Sequence, residues 1–332
     1  MRIRRRTGAV AAVLIATVGL AACSRSEAPQ PSQTSSSSAT SQIKVSQVGL
    51  NYTDDGSDEH KLDVFLPGDG TAGPYPLVIF IHGGGWRTGD KETWSQGSDM
   101  KVEQLKAKLM DAGYATASIN YQLFNPDASY EDGKAFPQNI FDTKAAVRYL
   151  RANATELRLD PNRFAVLGES AGAHLAQLLA TSGGVADLEG DLGNAGVSSA
   201  VQAAISFYGF NDLAKRSDQL RAAGCTEETS RDFTSEGRML GAEPNTPEGA
   251  ELAKKASSIT YLDAGDPPML LEHGTQDCTA PVEQSKNMDE AMKKLGIPVE
   301  LKLFDVGHAN EIFYASSDSQ DAVLGFLEAQ LP

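Results

Sequence analysis

The sequence predicts an α/β fold: a mainly parallel sheet with helices on both faces and a small lid-like insertion. Three observations predict it. Short apolar runs alternate with segments of helical length and pattern through most of the chain. One run, Leu77-Val78-Ile79-Phe80-Ile81, is apolar without a break, as in strands buried on both faces of a parallel sheet. The polar clusters that could carry chemistry each come just after a predicted strand, and such sheets bind ligands beyond the C-terminal ends of their strands.

The first 42 residues read as lying outside that fold. Arg2, Arg4, Arg5 and Arg6 precede the apolar run Ala9 to Ala22, which is too short for a comfortable bilayer span. Residues 1–22 are therefore expected to be a signal peptide. Leu20-Ala21-Ala22-Cys23 resembles the bacterial lipoprotein signal, which implies a lipid such as palmitate on Cys23 and a protein exported and anchored to the outer side of a membrane. A plain secretory signal and an uncleaved anchor are the alternatives. Residues 24–42 are mostly Ser, Thr, Pro, Gln and Ala and cannot repay their ordering entropy, so 23–42 reads as the lipidated cysteine and a flexible tether.

Residues 43–332 form the expected domain, about 290 residues, enough for one large core. Ile43 to Leu50 and His60 to Leu66 alternate in polarity around the turn Asp54-Asp55-Gly56-Ser57, the pattern of an antiparallel pair. The buried run 77–81 ends in His82-Gly83-Gly84-Gly85-Trp86. A helix over Met100 to Ala112, a strand over Tyr114 to Ile119 and a helix from Phe136 to about Ala154 follow. Phe164 to Leu167 then reads as a strand and Ala171 to Ala180 as a helix. Val201 to Phe207 is the next strand. Residues 210–262 break the pattern, polar with short helical pieces near 230–240 and 247–255. They read as an insertion over the sheet edge, a lid or cleft wall, with a decorative loop as the alternative. Strands at Met269 to Leu271 and Val299 to Phe304, and helices at Ala280 to Leu295 and Gln320 to Leu331, close the domain.

Charge narrows the function. The chain has 29 Lys and Arg against 44 Asp and Glu, and without the four signal arginines its net charge is near -19. That excludes nucleic acid as a partner and leaves no extended basic face for anionic lipid. Besides Cys23 only Cys225 and Cys278 occur, and the five histidines form no metal-ligand cluster. In an exported protein the pair is permitted to be a disulfide closing a long loop, and two free thiols are the alternative.

The chemistry centres on Gly168-Glu169-Ser170-Ala171-Gly172, between a strand and a helix. Glycines two residues either side of Ser170 let the strand turn abruptly, because a Cβ there would strike neighbouring backbone. Such a turn exposes the hydroxyl near the positive end of a helix. A serine nucleophile needs a base, and the base needs an orienting acid. His308 and Asp277 follow separate strands, and the order Ser170, Asp277, His308 is that of one hydrolase fold class. Asp305 and Asp266 compete weakly for the acid. His60, His82, His174 and His273 are the other histidines, of which His174 is expected to pack or brace. The three glycines after residue 82 leave backbone N–H groups open, so Gly84 and Gly85, with the N–H of Ala171, are assigned to an oxyanion hole. A phosphate loop is the competing reading, but the Lys-Ser/Thr pair it needs is missing. Trp86 either lines the substrate pocket or covers the loop.

These motifs, with Asn120-Tyr121, Phe136-Pro137, Asp142 and Asp266-Pro267-Pro268, resemble α/β-hydrolase serine esterases, nearest the feruloyl and acetyl-xylan esterase-like proteins and the hormone-sensitive-lipase relatives. The likeness runs over about residues 60–330. It implies an α/β-hydrolase fold and a carboxylic-ester hydrolase of acyl-enzyme mechanism, with Ser170 as nucleophile, Asp277 as acid, His308 as base and no cofactor or metal. The implied substrates are short-chain acyl or aryl esters, or esters linked to plant polysaccharide. An amide hydrolase of arylformamidase or peptidase type with the same triad is the second reading, and a non-catalytic binding module the third. Two positions depart from the pattern: Gln122 replaces an arginine that braces loops, and Ala173 a glycine.

Overall fold

An eight-stranded sheet runs through the domain in the order β1-β2-β4-β3-β5-β6-β7-β8. In chain order the strands are β1 (Lys44–Asn51), β2 (Lys61–Leu66), β3 (Tyr75–Ile81), β4 (Ala115–Ile119), β5 (Leu159–Glu169), β6 (Ala203–Phe207), β7 (Met269–Gly274) and β8 (Val299–Phe304). The computed structural model describes residues 44–68, 73–96, 100–225 and 234–332. The expected signal, Cys23 and the tether lie outside the described residues. β1 with β2 and β2 with β4 are antiparallel. The remaining neighbours are parallel. The expected N-terminal pair therefore exists, and through β4 it extends the main sheet instead of standing apart.

Helices cover both faces: α1 (Val102–Asp111), α2 (Tyr130–Gly133), α3 (Gln138–Ala152), α4 (Ala171–Thr181), α5 (Ala186–Glu189), α6 (Arg216–Ala222), α7 (Ser235–Leu240), α8 (Pro247–Ala256), α9 (Glu283–Leu295), α10 (Ile312–Ala315) and α11 (Ser317–Gln330). The two-residue period of a strand sends its side chains to alternate faces, and two apolar cores follow from it. Leu77, Ile79 and Ile81 of β3 join Ile140 of α3, Leu175 of α4 and Met288 of α9. Val78 and Phe80 join Leu105 of α1 and Phe326 of α11 on the other face.

The strand order also positions the site. From β3 the chain crosses to β4 on one side and later returns to β5 on the other. The C-terminal ends of β3 and β5 thus lie side by side where the winding direction switches, the place where open α/β sheets bind ligands. The glycine loop after Ile81 is brought beside the turn after Glu169 in this way. Residues 210–262, between β6 and β7, hold α6, α7 and α8, and α6 is a helix that the polar sequence did not predict.

Candidate active site

Ser170 is held between β5 and α4 at φ 49° and ψ -116°, a conformation that costs a non-glycine residue on the order of 1–3 kcal/mol. The flanking glycines explain how the turn is built. A Cβ on Gly168 would lie 2.2 Å from the Gly172 carbonyl oxygen, and one on Gly172 would lie 2.1 Å from that of Ile81. Only glycine lets α4 start this close to β3. The Ser170 N–H donates to Phe207 O at 3.0 Å, which fixes the serine against the end of β6.

Ser170, His308 and Asp277, far apart in the chain, form one hydrogen-bonded line. Ser170 Oγ is 2.9 Å from His308 Nε2, and His308 Nδ1 is 2.6 Å from Asp277 Oδ2. Asp277 Oδ1 accepts the N–H groups of Thr279 at 2.7 Å and Ala280 at 2.8 Å. Burial alone would raise the Asp277 carboxyl, but the imidazoles of His273 and His308 outweigh it and hold the group well below the usual carboxylate range. His273 at the end of β7 bonds Ala280 O at 2.8 Å and Ser285 Oγ at 2.7 Å, bracing the loop that carries Asp277. The imidazole of His308 packs edge-on to Tyr208 at 4.9 Å.

The competing residues are placed elsewhere. Asp305 accepts Gln276 Nε2 at 2.8 Å, and Asp266 bonds the backbone of Asp263 before β7 begins. His60 lies between Asp55 and Asp142, and His82 stacks on Tyr121.

The glycine loop meets Ser170 from β3. Gly84 and Gly85 take φ values of 104° and 63°, and both line the cavity beside Ser170. Their N–H groups, and that of Ala171 in the first turn of α4, have no acceptor among the described residues. The N–H of Gly83 is instead committed, donating to Glu169 Oε1 at 3.1 Å. Glu169 also accepts the hydroxyls of Tyr208, at 2.7 Å, and Tyr314. This buried carboxylate, next to the serine in sequence, ties the glycine loop to the turn at Ser170. Sequence reasoning passed over it, although its place inside the Gly168–Gly172 motif was a signal.

The cavity above Ser170 has a volume of about 350 Å³. Trp86, Phe210 and Met100 supply apolar surface, and Arg216 and Glu236 a polar part. Trp86 lines the cavity and is almost wholly buried. Its indole N–H donates to His174 Nδ1 at 3.2 Å, while His174 Nε2 bonds Ala256 O at 2.7 Å. Burial lowers His174 to a pKa of about 4, so the ring is neutral and braces Trp86. Phe210, Arg216, Ser235 and Glu236 come from the 210–262 insertion, which makes it a cleft wall. Cys225 and Cys278 are joined in a disulfide with Cα atoms 5.5 Å apart. That bond ties the segment after α6 to the residue following Asp277.

The BD-FAE family model matches residues 62–292. The chain is 27% identical over 247 residues to a probable carboxylic ester hydrolase, LipM, of Mycobacterium tuberculosis, covering 74% of this chain and 51% of that protein. It spans about half the length of the curated relatives it matches. Among solved structures, a truncated carbohydrate esterase from gut microbiota superposes with a TM-score of 0.73 at 26% identity, covering 88% of this chain and 98% of that one. Esterase 2 of Thermogutta terrifontis with propionate bound superposes with a TM-score of 0.61 at 26% identity, covering 86% and 94%.

Proposed function

The chain belongs to the BD-FAE family, and from that membership and the site geometry we propose that it is a serine carboxylic-ester hydrolase acting on short-chain acyl esters of carbohydrate alcohols. The observation that carries the proposal is the line Ser170–His308–Asp277, with its bonds of 2.9 and 2.6 Å. His308 Nε2 takes the hydroxyl proton as Ser170 Oγ attacks the ester carbonyl. The carbonyl oxygen gains negative charge and is received by the N–H groups of Gly84, Gly85 and Ala171, each such donor being worth about 3 kcal/mol at the transition state. His308 then gives its proton to the departing alkoxide. Asp277 keeps the imidazole oriented and offsets its charge. Water, deprotonated by the same histidine, attacks the acyl-serine, releases the acid and restores Ser170.

The size and apolar surface of the cavity support a short acyl group, as does the propionate complex of the Thermogutta esterase. The carbohydrate alcohol is supported by the gut-microbiota carbohydrate esterase. The amide-hydrolase alternative has no observation in its favour. In the assay, p-nitrophenyl acetate, propionate and longer esters are compared in wild type and Ser170→Ala. The variant is expected to lose about 10⁴-fold or more in kcat, and equal rates above background in the two proteins would overturn the proposal.

Export and a lipid anchor at Cys23 belong to the same proposal. The disulfide, a bond that persists in oxidising compartments, supports the export. Palmitate label is expected on the wild type and not on Cys23→Ala, and label that persists in the variant would refute the anchor.

A further inference from the structure

One wall of the cavity is polar, and the reaction steps make no use of it. Arg216 opens α6 and Glu236 lies in α7, so both come from the insertion between β6 and β7. Arg216 Nη1 donates to Glu236 Oε1 at 2.7 Å, and Nε donates to Thr279 O at 2.9 Å. The two side chains are only 16% and 3% exposed. An ion pair this sheltered carries a desolvation cost that Coulomb attraction does not reliably repay, so its presence calls for a reason other than stability. The Nη2 edge of Arg216 has no acceptor among the described residues, although Arg216 lines the cavity.

The attachment point gives this wall a side. Thr279, which holds Arg216 through its carbonyl, donates its own N–H to Asp277 at 2.7 Å. Arg216 is thus hung from the acid loop, on the side of the dyad Asp277–His308. His308 protonates the leaving alkoxide, so groups beside this dyad face the alcohol half of an ester.

We propose that Arg216, held in place by Glu236, is a specificity-determining residue for the alcohol half, its free Nη2 donating hydrogen bonds to hydroxyl oxygens of a neutral carbohydrate. The inference rests on the esterase reading above. A planar guanidinium keeps its donors pre-aimed, which an ammonium on a flexible stem does not. A carboxylate-bearing alcohol fits worse, because Glu236, Glu169 and Asp277 already place negative charge around the site. With a hydroxylated alcohol the unused donors find partners, and with an alcohol that has no hydroxyl they stay desolvated and unpaired, which is how a polar site discriminates.

The test is a ratio measured within each preparation, so that the fraction of active protein cancels. The kcat/KM for an O-acetylated methyl xylopyranoside is divided by that for p-nitrophenyl acetate, whose alcohol has no hydroxyl beyond the ester oxygen. In Arg216→Met the ratio is expected to fall about 10- to 100-fold, the loss of a hydrogen bond from a charged donor, and to fall mainly through KM. Arg216→Lys, which keeps the charge but not the planar donors, serves as a second variant if Arg216→Met does not fold, and its ratio is expected to fall as well. An unchanged ratio, with both substrates reduced by one factor, would assign Arg216 a structural role and overturn the inference. A wild type active on p-nitrophenyl acetate but not on the acetylated xyloside would overturn it too, leaving the esterase reading in place. A wild type inactive on both would sink the esterase reading itself.

Discussion

The buried Glu169 carboxylate collects three donors, Gly83 N–H, Tyr208 OH and Tyr314 OH. A buried carboxylate so fully hydrogen-bonded is tolerated. Burial first, and then this carboxylate, raises both tyrosine hydroxyls well above their ordinary pKa, so they remain donors. The bond to Gly83 fixes where the next two N–H groups point. Glu169→Gln, which replaces an acceptor oxygen by a donor, is expected to lower kcat by about 10- to 100-fold through misplacement of the glycine loop, with KM little changed. Tyr314→Phe should show a smaller loss of the same kind. Steady-state kinetics on p-nitrophenyl acetate checks both, and an unaltered kcat in Glu169→Gln would show that Gly83 needs no such tether. The contrast with Ser170, Asp277 and His308 explains what could be read from residues alone. The proposed acyl transfer demands a few residue types at strand ends, and Ser170, Asp277 and His308 stand at such places in the sequence. His273 and Arg216 act through partners brought together only by folding, and no local pattern marks them, whereas Glu169 sits inside the Gly168–Gly172 motif but its partners, too, are assembled only by the fold.

Gly172 shows how the β3–β5–α4 unit depends on close backbone approach. A Cβ there would sit 2.1 Å from Ile81 O and 2.5 Å from His82 O, and neither carbonyl can move without disturbing the end of β3. Gly325 makes the control, since in α11 an added Cβ would meet nothing within 4 Å. Gly325→Ala is expected to stabilise by about 0.5–1 kcal/mol, raising Tm by about 2–4 °C per kcal/mol. Gly172→Ala should instead lower Tm markedly and abolish hydrolysis, and wild-type melting in that variant would refute the close-approach argument. This unit was legible because strand, glycine turn and helix follow one another in sequence. The insertion was less so. α6 is anchored by contacts remote in the chain: Gln284 Nε2 donates to Gln219 Oε1 in the helix and Gln284 Oε1 accepts the N–H groups of Asn211 and Asp212 before it, and Cys225 after it is bonded to Cys278. A polar stretch stabilised that way has no apolar stripe to betray it.

Across the whole molecule, the antiparallel edge must be held to the helical layer behind the glycine loop, and His60 does this. It precedes β2 and is hydrogen-bonded to Asp55 at 2.6 Å and to the fully buried Asp142 of α3 at 3.2 Å. Asp142 in turn accepts the N–H of Gln122 at 2.8 Å. Gln122 stands where the resemblance would place an arginine bracing the loops, and here the cation facing Asp142 comes from His60. The bond to Asp142, opposed by burial and helped by Asp55, raises His60 to a pKa of about 9. The ordinary value in an unfolded chain is about 6.5. A pKa raised in the folded state means that folding favours the protonated form, so this stabilisation is complete below about pH 6.5 and is lost as pH rises toward about 9. The half-exposed Asp55 and solvent screening limit it to about 1–2 kcal/mol. In His60→Gln the amide can still bond Asp142 but carries no charge. Denaturant unfolding of both proteins from pH 6 to 9.5 is expected to show a stability difference that is largest at the acid end and shrinks through this window. A difference that stays constant with pH would mean that His60 is neutral in the folded protein and that Asp142 is satisfied by the Gln122 N–H and by Gln138 Nε2, which donates to its Oδ1 at 2.7 Å, alone.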